Sequence, residues 1–193
     1  GLYKVYNGNL LYHGCVPLKE DGNLKSVRIF GRAYKGKGLY EVLESYVRKG
    51  FYAMDPKEKE RGKDIMWYIW LSENSPLFGK DKMATFERYF LAEKETHKEK
   101  KNPYYLLLED EKVVGKILKE FGLENEDAHI INGHVPVKCK DGENPVKCGG
   151  KVLVIDGGFS KAYQKETGIA GYTLIYNSYG LILAAHKPFE STE

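Results

Sequence analysis

The sequence of 193 residues lacks the features that mark secreted and membrane proteins. Its three cysteines, Cys15, Cys139 and Cys148, are too few and too irregularly spaced for the disulfide framework of a small secreted domain. No apolar run approaches the roughly 20 residues of a membrane-spanning helix, and no basic and apolar leader is visible. We therefore expect a cytoplasmic protein with reduced thiols.

The sequence also lacks a strong charge of either sign, since 30 Lys and Arg residues stand against 27 Asp and Glu residues. This balance gives no argument for binding to nucleic acid or to a membrane surface. An initiator methionine is missing too: the chain starts at Gly1 and soon reaches the strand-like Leu10-Leu11-Tyr12. We expect a piece of a longer chain, in which 42% hydrophobic residues suffice for a core.

Three zones follow one another along the chain. Residues 1–37 are glycine-rich and strand-like, residues 38–127 carry helical patterns, and residues 128–193 return to strands. Strands at both ends with helices between them predict an α/β core that is interrupted by a helical insertion. We expect the three zones to form one domain.

Apolar spacing predicts four helices in the middle zone. The first carries a single stripe at helical spacing, formed by Leu39, Val42, Leu43, Tyr46 and Val47. The segment Lys57–Leu71 is apolar nearly all round, so we expect it to pack on several sides. A short helix is expected at Met83–Leu91. Another is expected at Asp110–Phe121, with Asp110 as its N-cap and Gly122 as its C-terminal stop.

The last zone predicts two kinds of strand. Ile130-Ile131 and Val152–Ile155 are short continuous apolar runs, which is typical of strands buried on both faces. Tyr172–Tyr176 and Leu181–Ala185 flank the turn-forming Asn177-Ser178-Tyr179-Gly180. These two segments predict a hairpin.

A first candidate for chemistry is a phosphate-binding loop in residues 31–38, Gly-Arg-Ala-Tyr-Lys-Gly-Lys-Gly. It matches the P-loop pattern as far as Lys37, and Val152–Asp156 is similar to the strand that ends in a metal-binding aspartate. Gly38, however, stands where the pattern needs a Ser or Thr hydroxyl for Mg²⁺. A flexible basic loop is the favoured interpretation, and a nucleotide-binding module that uses Lys37 and Asp156 is an alternative.

A second candidate is a zinc site formed by Cys139 and Cys148 with His134. Structural zinc usually takes four nitrogen or sulfur ligands, often including a close pair of cysteines. These two cysteines are nine positions apart and have no second pair, so we expect ordinary thiols. Structural roles are also expected for three histidines outside any convergent pattern: His97, His129 and His186.

Two histidines share one local pattern and form the third candidate. His13 and His134 each follow a strand-like apolar run, stand beside a glycine and closely precede a Val-Pro pair. Ligands collect at the carboxyl ends of strands in α/β sheets, the glycines let the backbone approach an ion, and neutral imidazole is a common metal ligand. The pattern therefore predicts a shared metal.

These motifs resemble those of the calcineurin-like metallophosphoesterases. His13-Gly14 resembles their histidine-glycine loop, Asn132-Gly133-His134 resembles their glycine-histidine motif, and Val154–Gly158 resembles the isoleucine-aspartate strand that follows it. Longer blocks are similar to the class III fructose-1,6-bisphosphatases of Firmicutes-type bacteria: Thr85–Phe90, Ile130–Val137, Val154–Tyr163 and Gly168–Tyr179. The resemblance spans essentially the whole chain.

The resemblance implies a fold, an activity and a cofactor. The fold would be the C-terminal half of a metallophosphoesterase-type β-sandwich flanked by helices, with residues 38–127 as a helical insertion. The parent enzyme would hydrolyse fructose 1,6-bisphosphate to fructose 6-phosphate and phosphate, a step of gluconeogenesis. It would use two divalent metal ions, with Mn²⁺ expected, and His13 and His134 would bind the same one.

The Asp-x-His, Gly-Asp-x-x-Asp and Asn-His-Asp/Glu motifs of this superfamily do not occur here in the expected chain order. The resemblance thus implies a C-terminal fragment that has no catalytic residue of its own and is inactive alone. Its partner would be the missing N-terminal part of the same chain. Five cations could hold the uncleaved phosphate of a sugar bisphosphate: Arg28, Arg32, Lys35, Lys37 and Lys138.

Two other functions stay open at this point. One is another calcineurin-like phosphatase, acting on a phosphoprotein or a nucleotide; the segment 38–127 argues for the sugar phosphatase, which it resembles. The other is a non-catalytic interaction domain. The middle zone is rich in Tyr and Trp and could expose surface that the missing part covers. Self-association of this chain would then be expected.

Overall fold

The computed structural model describes residues 1–156, 167–168 and 171–186 of the chain. Within them lie four α-helices: α1 (Gly36–Tyr52), α2 (Pro56–Leu71), α3 (Thr85–Phe90) and α4 (Glu111–Glu120). The same residues form nine strands: β1 (Tyr3–Tyr6), β2 (Asn9–Tyr12), β3 (Val27–Ile29), β4 (Arg32–Tyr34), β5 (Ile130–Asn132), β6 (Val146–Lys147), β7 (Val152–Val154), β8 (Gly171–Asn177) and β9 (Gly180–His186). None of these helices combines the length and the apolar character needed to cross a membrane.

One five-stranded sheet in the order β1-β2-β5-β7-β6 forms the centre of the described fold. Its three central strands are parallel, with Leu10 opposite Ile130 and Ile130 opposite Val152. The edge strands β1 and β6 run antiparallel to their neighbours. Every residue of β5 and β7 is buried, which confirms the prediction from their continuous apolar runs.

Two hairpins complete the described strands. Strands β3 and β4 pair with each other, as do β8 and β9, whose turn at residues 178–179 confirms the predicted hairpin. The two-sheet sandwich of the metallophosphoesterases stays a prediction. Of the blocks that carry the family resemblance, residues 157–163 and 169–170 lie outside the described residues.

Helices α1 and α4 form where the spacing of apolar residues predicted them. In α1 the stripe faces inward, with Leu39 and Leu43 fully buried. In α4 the Asp110 side chain is the N-cap, accepting hydrogen bonds from the backbone N–H groups of Lys112 at 2.9 Å and Val113 at 3.2 Å. Such a cap contributes about 1 kcal/mol. After the helix, Gly122 adopts a φ of 83°, which favours glycine and turns the chain.

Helix α2 overturns the prediction that it packs on several sides. Its buried residues Gly62, Ile65 and Ile69 lie on one face, toward α1. Trp67 and Trp70 are 69% and 68% exposed. An apolar pattern without a period does not say which face is covered, and here the contact with α1 covers one face alone. The expected self-association stays a prediction.

Two hydrophobic clusters join the three zones of the sequence. The larger one packs α4 and Tyr40 of α1 against the central strands β2, β5 and β7. The smaller one packs β3 against α1 and α2, and its buried members are Val27, Ile29, Leu39, Leu43, Ile65 and Ile69. The helical zone therefore shares its core with the sheet, which positions the strand ends described next.

Candidate metal centre

The carboxyl ends of β2, β5 and β7 meet at one edge of the sheet because these strands are parallel neighbours. His13 follows β2, His134 follows β5 after one glycine, and Asp156 follows β7 after one residue. Backbone hydrogen bonds tie the three loops together. The N–H of Gly133 donates to the carbonyl of His13 at 2.9 Å, and that of Val137 donates to the carbonyl of Asp156 at 2.8 Å.

The structure brings the two predicted histidines into direct contact. His13 Nε2 and His134 Nδ1 are 3.0 Å apart, and the ring centroids are 4.8 Å apart. The other nitrogen of His134, Nε2, lies 2.8 Å from the carbonyl oxygen of Phe78. A carbonyl can only accept, so His134 Nε2 carries the proton and Nδ1 presents its lone pair toward His13.

The surroundings of His134 favour the neutral ring. Burial lowers the pKa of His134 below its ordinary value, and the neighbouring His13 lowers it further, while the hydrogen bond to the Phe78 carbonyl opposes the shift. His134 also has a φ of 70°, and the N–H of Val135 reaches across it to the carbonyl of Gly133 at 2.9 Å. Such a backbone costs about 1–3 kcal/mol and is typical of functional sites.

These two residues fit a divalent metal ion. A separation of 3.0 Å between His13 Nε2 and His134 Nδ1 suits two ligands of one ion, because metal–imidazole bonds are about 2.0–2.1 Å long. The Phe78 carbonyl holds the second nitrogen of His134, as outer partners of metal-binding histidines do. The described residues contain no group of three or more His, Cys, Asp or Glu side chains placed to hold a metal, so the pair is not a complete ligand set within them.

A buried amide fixes the two histidine loops to each other. Asn132, at the end of β5, is 2% exposed, and its Nδ2 donates to the carbonyl of Gly14 at 3.1 Å. Gly14 is also enclosed on its other side, where the N–H of Cys15 donates to the carbonyl of Pro76 at 2.8 Å. In the sequence, Asn132 can be recognised only as the polar residue that ends an apolar strand.

Comparison with known proteins decides the family. A family model described as Firmicute fructose-1,6-bisphosphatase matches residues 1–193, the whole chain. The chain belongs to the Firmicute fructose-1,6-bisphosphatase family. The resemblance that the motifs indicated is thereby confirmed, and no solved structure gives a match to the chain.

Curated relatives of the family show how much of a full-length member is present. The chain is 61% identical over 191 residues to a fructose-1,6-bisphosphatase class 3 of Clostridium botulinum (strain Hall). The match covers 98% of this chain and 29% of the relative. It is 58% identical over 192 residues to a fructose-1,6-bisphosphatase class 3 of Clostridium beijerinckii. That match covers 100% of this chain and 29% of the relative. The chain thus spans about 29% of the length of these relatives. Their shared name does not favour a phosphatase for phosphoproteins or nucleotides.

The structure separates the predicted phosphate-binding cations. Lys37 lines a cavity of about 1450 Å³ together with both histidines, and Lys138 lines a second cavity of about 980 Å³ that both histidines also reach. Arg28, Arg32 and Lys35 line neither of these two cavities; the two arginines lie on the β3–β4 hairpin, and Lys35 directly precedes α1. Of the four predicted cations between residues 28 and 37, only Lys37 therefore lines one of these cavities.

The P-loop interpretation does not agree with the local structure. Residues 32–34 are not a loop but strand β4, paired with β3. At the start of α1 the backbone N–H of Lys37 donates to the Glu120 carboxylate at 3.1 Å, so an acidic side chain already takes the place that a phosphate would need. The glycine-lysine pattern here builds a hairpin and a helix start.

Cys15, Cys139 and the three other histidines have ordinary local surroundings. Burial raises the pKa of the Cys15 thiol to about 12, so this thiol is inert. Cys139 Sγ lies 2.6 Å from the Tyr172 hydroxyl rather than in a zinc cluster among the described residues. The three other histidines each contact a nearby group: His129 the side chain of Asn9, His97 the carbonyl of Leu91, and His186 the hydroxyl of Thr173.

Proposed function

We propose that this chain supplies one side of the divalent-metal centre of a fructose-1,6-bisphosphatase, which hydrolyses fructose 1,6-bisphosphate to fructose 6-phosphate and phosphate. The observation that carries the proposal is the contact of His13 Nε2 with His134 Nδ1 at the carboxyl edge of parallel strands. It occurs in a chain that belongs to the corresponding family. We further propose Mn²⁺ as the ion, a metallophosphoesterase-type sheet arrangement, and a cytoplasmic location.

The residues of this chain would act as holders of the ion. His13 would bind through Nε2 and His134 through Nδ1, while the Phe78 carbonyl keeps the proton of His134 on Nε2. When bound, the ion supplies positive charge to a phosphoryl group that is being transferred to water. The other ligands would come from the parts of the full-length relatives that this chain does not span, since it covers 29% of their length.

Binding of Mn²⁺ to the purified chain tests the proposal. We expect weak binding, measured by the loss of the free-Mn²⁺ electron paramagnetic resonance signal, because two imidazoles form only part of a ligand set. His13→Ala and His134→Ala should each abolish it. His97→Ala is the matched control, because His97 is a half-buried histidine that lines neither cavity. Equal binding by wild type and His134→Ala would refute the assignment.

Release of phosphate from fructose 1,6-bisphosphate is an independent test of whether the chain contains only part of the site. We expect no hydrolysis of fructose 1,6-bisphosphate by the isolated chain in Mn²⁺, because phosphoryl transfer in such sites depends on a second ion and further ligands. Clear Mn²⁺-dependent release of phosphate, lost in His134→Ala, would show instead that the 193 residues form a complete site.

A further inference from the structure

Four cationic side chains line the second cavity beside the histidine pair. Both His13 and His134 line this cavity of about 980 Å³. Among the described residues that line it, the cations are Lys80, Arg88, Lys101 and Lys138, and the single carboxylate is Glu99. A cleft with this excess of positive charge concentrates anions.

Two of these lysines are held opposite each other by the backbone. Lys80 and Lys101 form an antiparallel bridge, flanked by hydrogen bonds from Asn102 N to Gly79 O and from Asp81 N to Lys100 O, both 2.9 Å. Like charges at directly opposed positions of a strand pair are unfavourable. A dianion bound between them would turn this repulsion into attraction.

The single carboxylate does not neutralise the cleft. Glu99 lies 2.8 Å from the Lys80 ammonium and 3.7 Å from the Arg88 guanidinium. In the part of the chain that the structure describes, the ammonium groups of Lys101 and Lys138 form no ion pair. Burial lowers the pKa of Lys101; Glu143 opposes the shift, and Lys138 and Lys80 reinforce it. The Lys101 ammonium thus lies where an added negative charge is favourable.

The same backbone segments that place the histidines also place these lysines. Phe78, whose carbonyl holds His134, is followed after one residue by Lys80. Lys138 follows four positions after His134, and the N–H of Val137 between them is fixed to the carbonyl of Asp156. An anion held by the lysines would therefore lie next to the metal-binding edge but not on it.

We propose that Lys80, Lys101 and Lys138 form the subsite for the phosphate monoester that the enzyme retains, the 6-phosphate of its sugar substrate. This assignment rests on the proposed function for the identity of the sugar. Of the five cations chosen from the sequence it keeps Lys138 and omits Arg28, Arg32, Lys35 and Lys37, none of which lines this cleft. Charge-assisted hydrogen bonds from several ammonium groups are the usual means of holding such a phosphate.

Binding of fructose 6-phosphate to the metal-free chain tests the subsite. The ligand carries the retained phosphate and no other, and its binding is followed by amide shifts of residues 79–82 and 100–102 in NMR spectra. Lys101→Gln should weaken binding about tenfold, the factor expected for one hydrogen bond to a charged group. Lys101→Arg should keep most of the affinity. Lys63→Gln on the exposed face of α2 is the matched control and should match wild type.

The outcomes separate this inference from the proposed function. Fructose should not bind, and inorganic phosphate should compete for the same amides. Three results would each overturn the subsite. One is equal affinity of wild type, Lys101→Gln and Lys63→Gln for fructose 6-phosphate. The others are undetectable binding of fructose 6-phosphate to wild type, and binding of fructose as strong as that of its 6-phosphate. Mn²⁺ binding by the same variants is measured separately and should not change, because these lysines are not proposed metal ligands. Absence of Mn²⁺ binding in wild type would count against the metal centre alone.

Discussion

Replacing Gly62 by alanine should lower the free energy of unfolding by about 1–3 kcal/mol, the usual effect of overpacking. A Cβ built on Gly62 would lie 2.1 Å from the backbone nitrogen of Gly50 and 2.3 Å from its Cα. Both atoms belong to helix α1, so relief requires α1 and α2 to move apart. That movement would expose Leu43, Ile65 and Ile69, which the two helices bury between them. Urea denaturation of both proteins measures the difference.

Gly115→Ala provides a matched control for this prediction. Gly115 lies inside α4, is exposed, and has no atom within 4 Å of a built Cβ. Alanine should therefore raise the free energy of unfolding by about 0.5–1 kcal/mol through its better helix propensity. If Gly62→Ala gained stability in the same way, the described contact between α1 and α2 would be refuted.

Elements that depend on local pattern could be predicted from the sequence. The α1 stripe, the Asp110 cap of α4 and the β8–β9 hairpin all follow from residues close together in the chain. Helix α2 could not be placed in this way, because its apolar residues surround the helix. Which face it buries depends on the approach of Gly50 to Gly62, a contact between two helices that no periodicity encodes.

In the candidate site, too, local patterns could be predicted from the sequence, whereas contacts between distant segments could not. His13 and His134 could be chosen from their strand-end patterns, but their contact depends on the parallel pairing of β2 with β5 across more than a hundred residues. The glycine-lysine pattern of residues 31–38 favoured a flexible loop, but residues 32–34 form strand β4 and α1 begins at Gly36, because the same residue types serve equally well in a tight hairpin. Lys80 and Lys101 gave no signal, since both lie in polar stretches that meet only through a backbone bridge.

The glycine beside His13 carries the second large effect that we expect. A Cβ on Gly14 would lie 2.4 Å from the carbonyl oxygen of Pro76, an atom that already accepts a hydrogen bond from Cys15. On its other side Gly14 is held by Asn132, so the loop cannot yield without moving His13. Gly14→Ala should weaken Mn²⁺ binding about 10–100-fold, as loss of outer-shell support does in metal sites.

Gly38→Ala distinguishes this local displacement from a general effect of an added methyl group. Gly38 lies in α1, has no atom within 4 Å of a built Cβ and has no positive φ, so its replacement should leave Mn²⁺ binding unchanged and should not lower stability. In Gly14→Ala the imidazole signals of both His13 and His134 should shift in NMR spectra, because their nitrogens are in contact at 3.0 Å. Unchanged signals and unchanged Mn²⁺ binding in Gly14→Ala would mean that the loop accepts the methyl group. The position of His13 would then not depend on the close approach of Gly14 to Pro76.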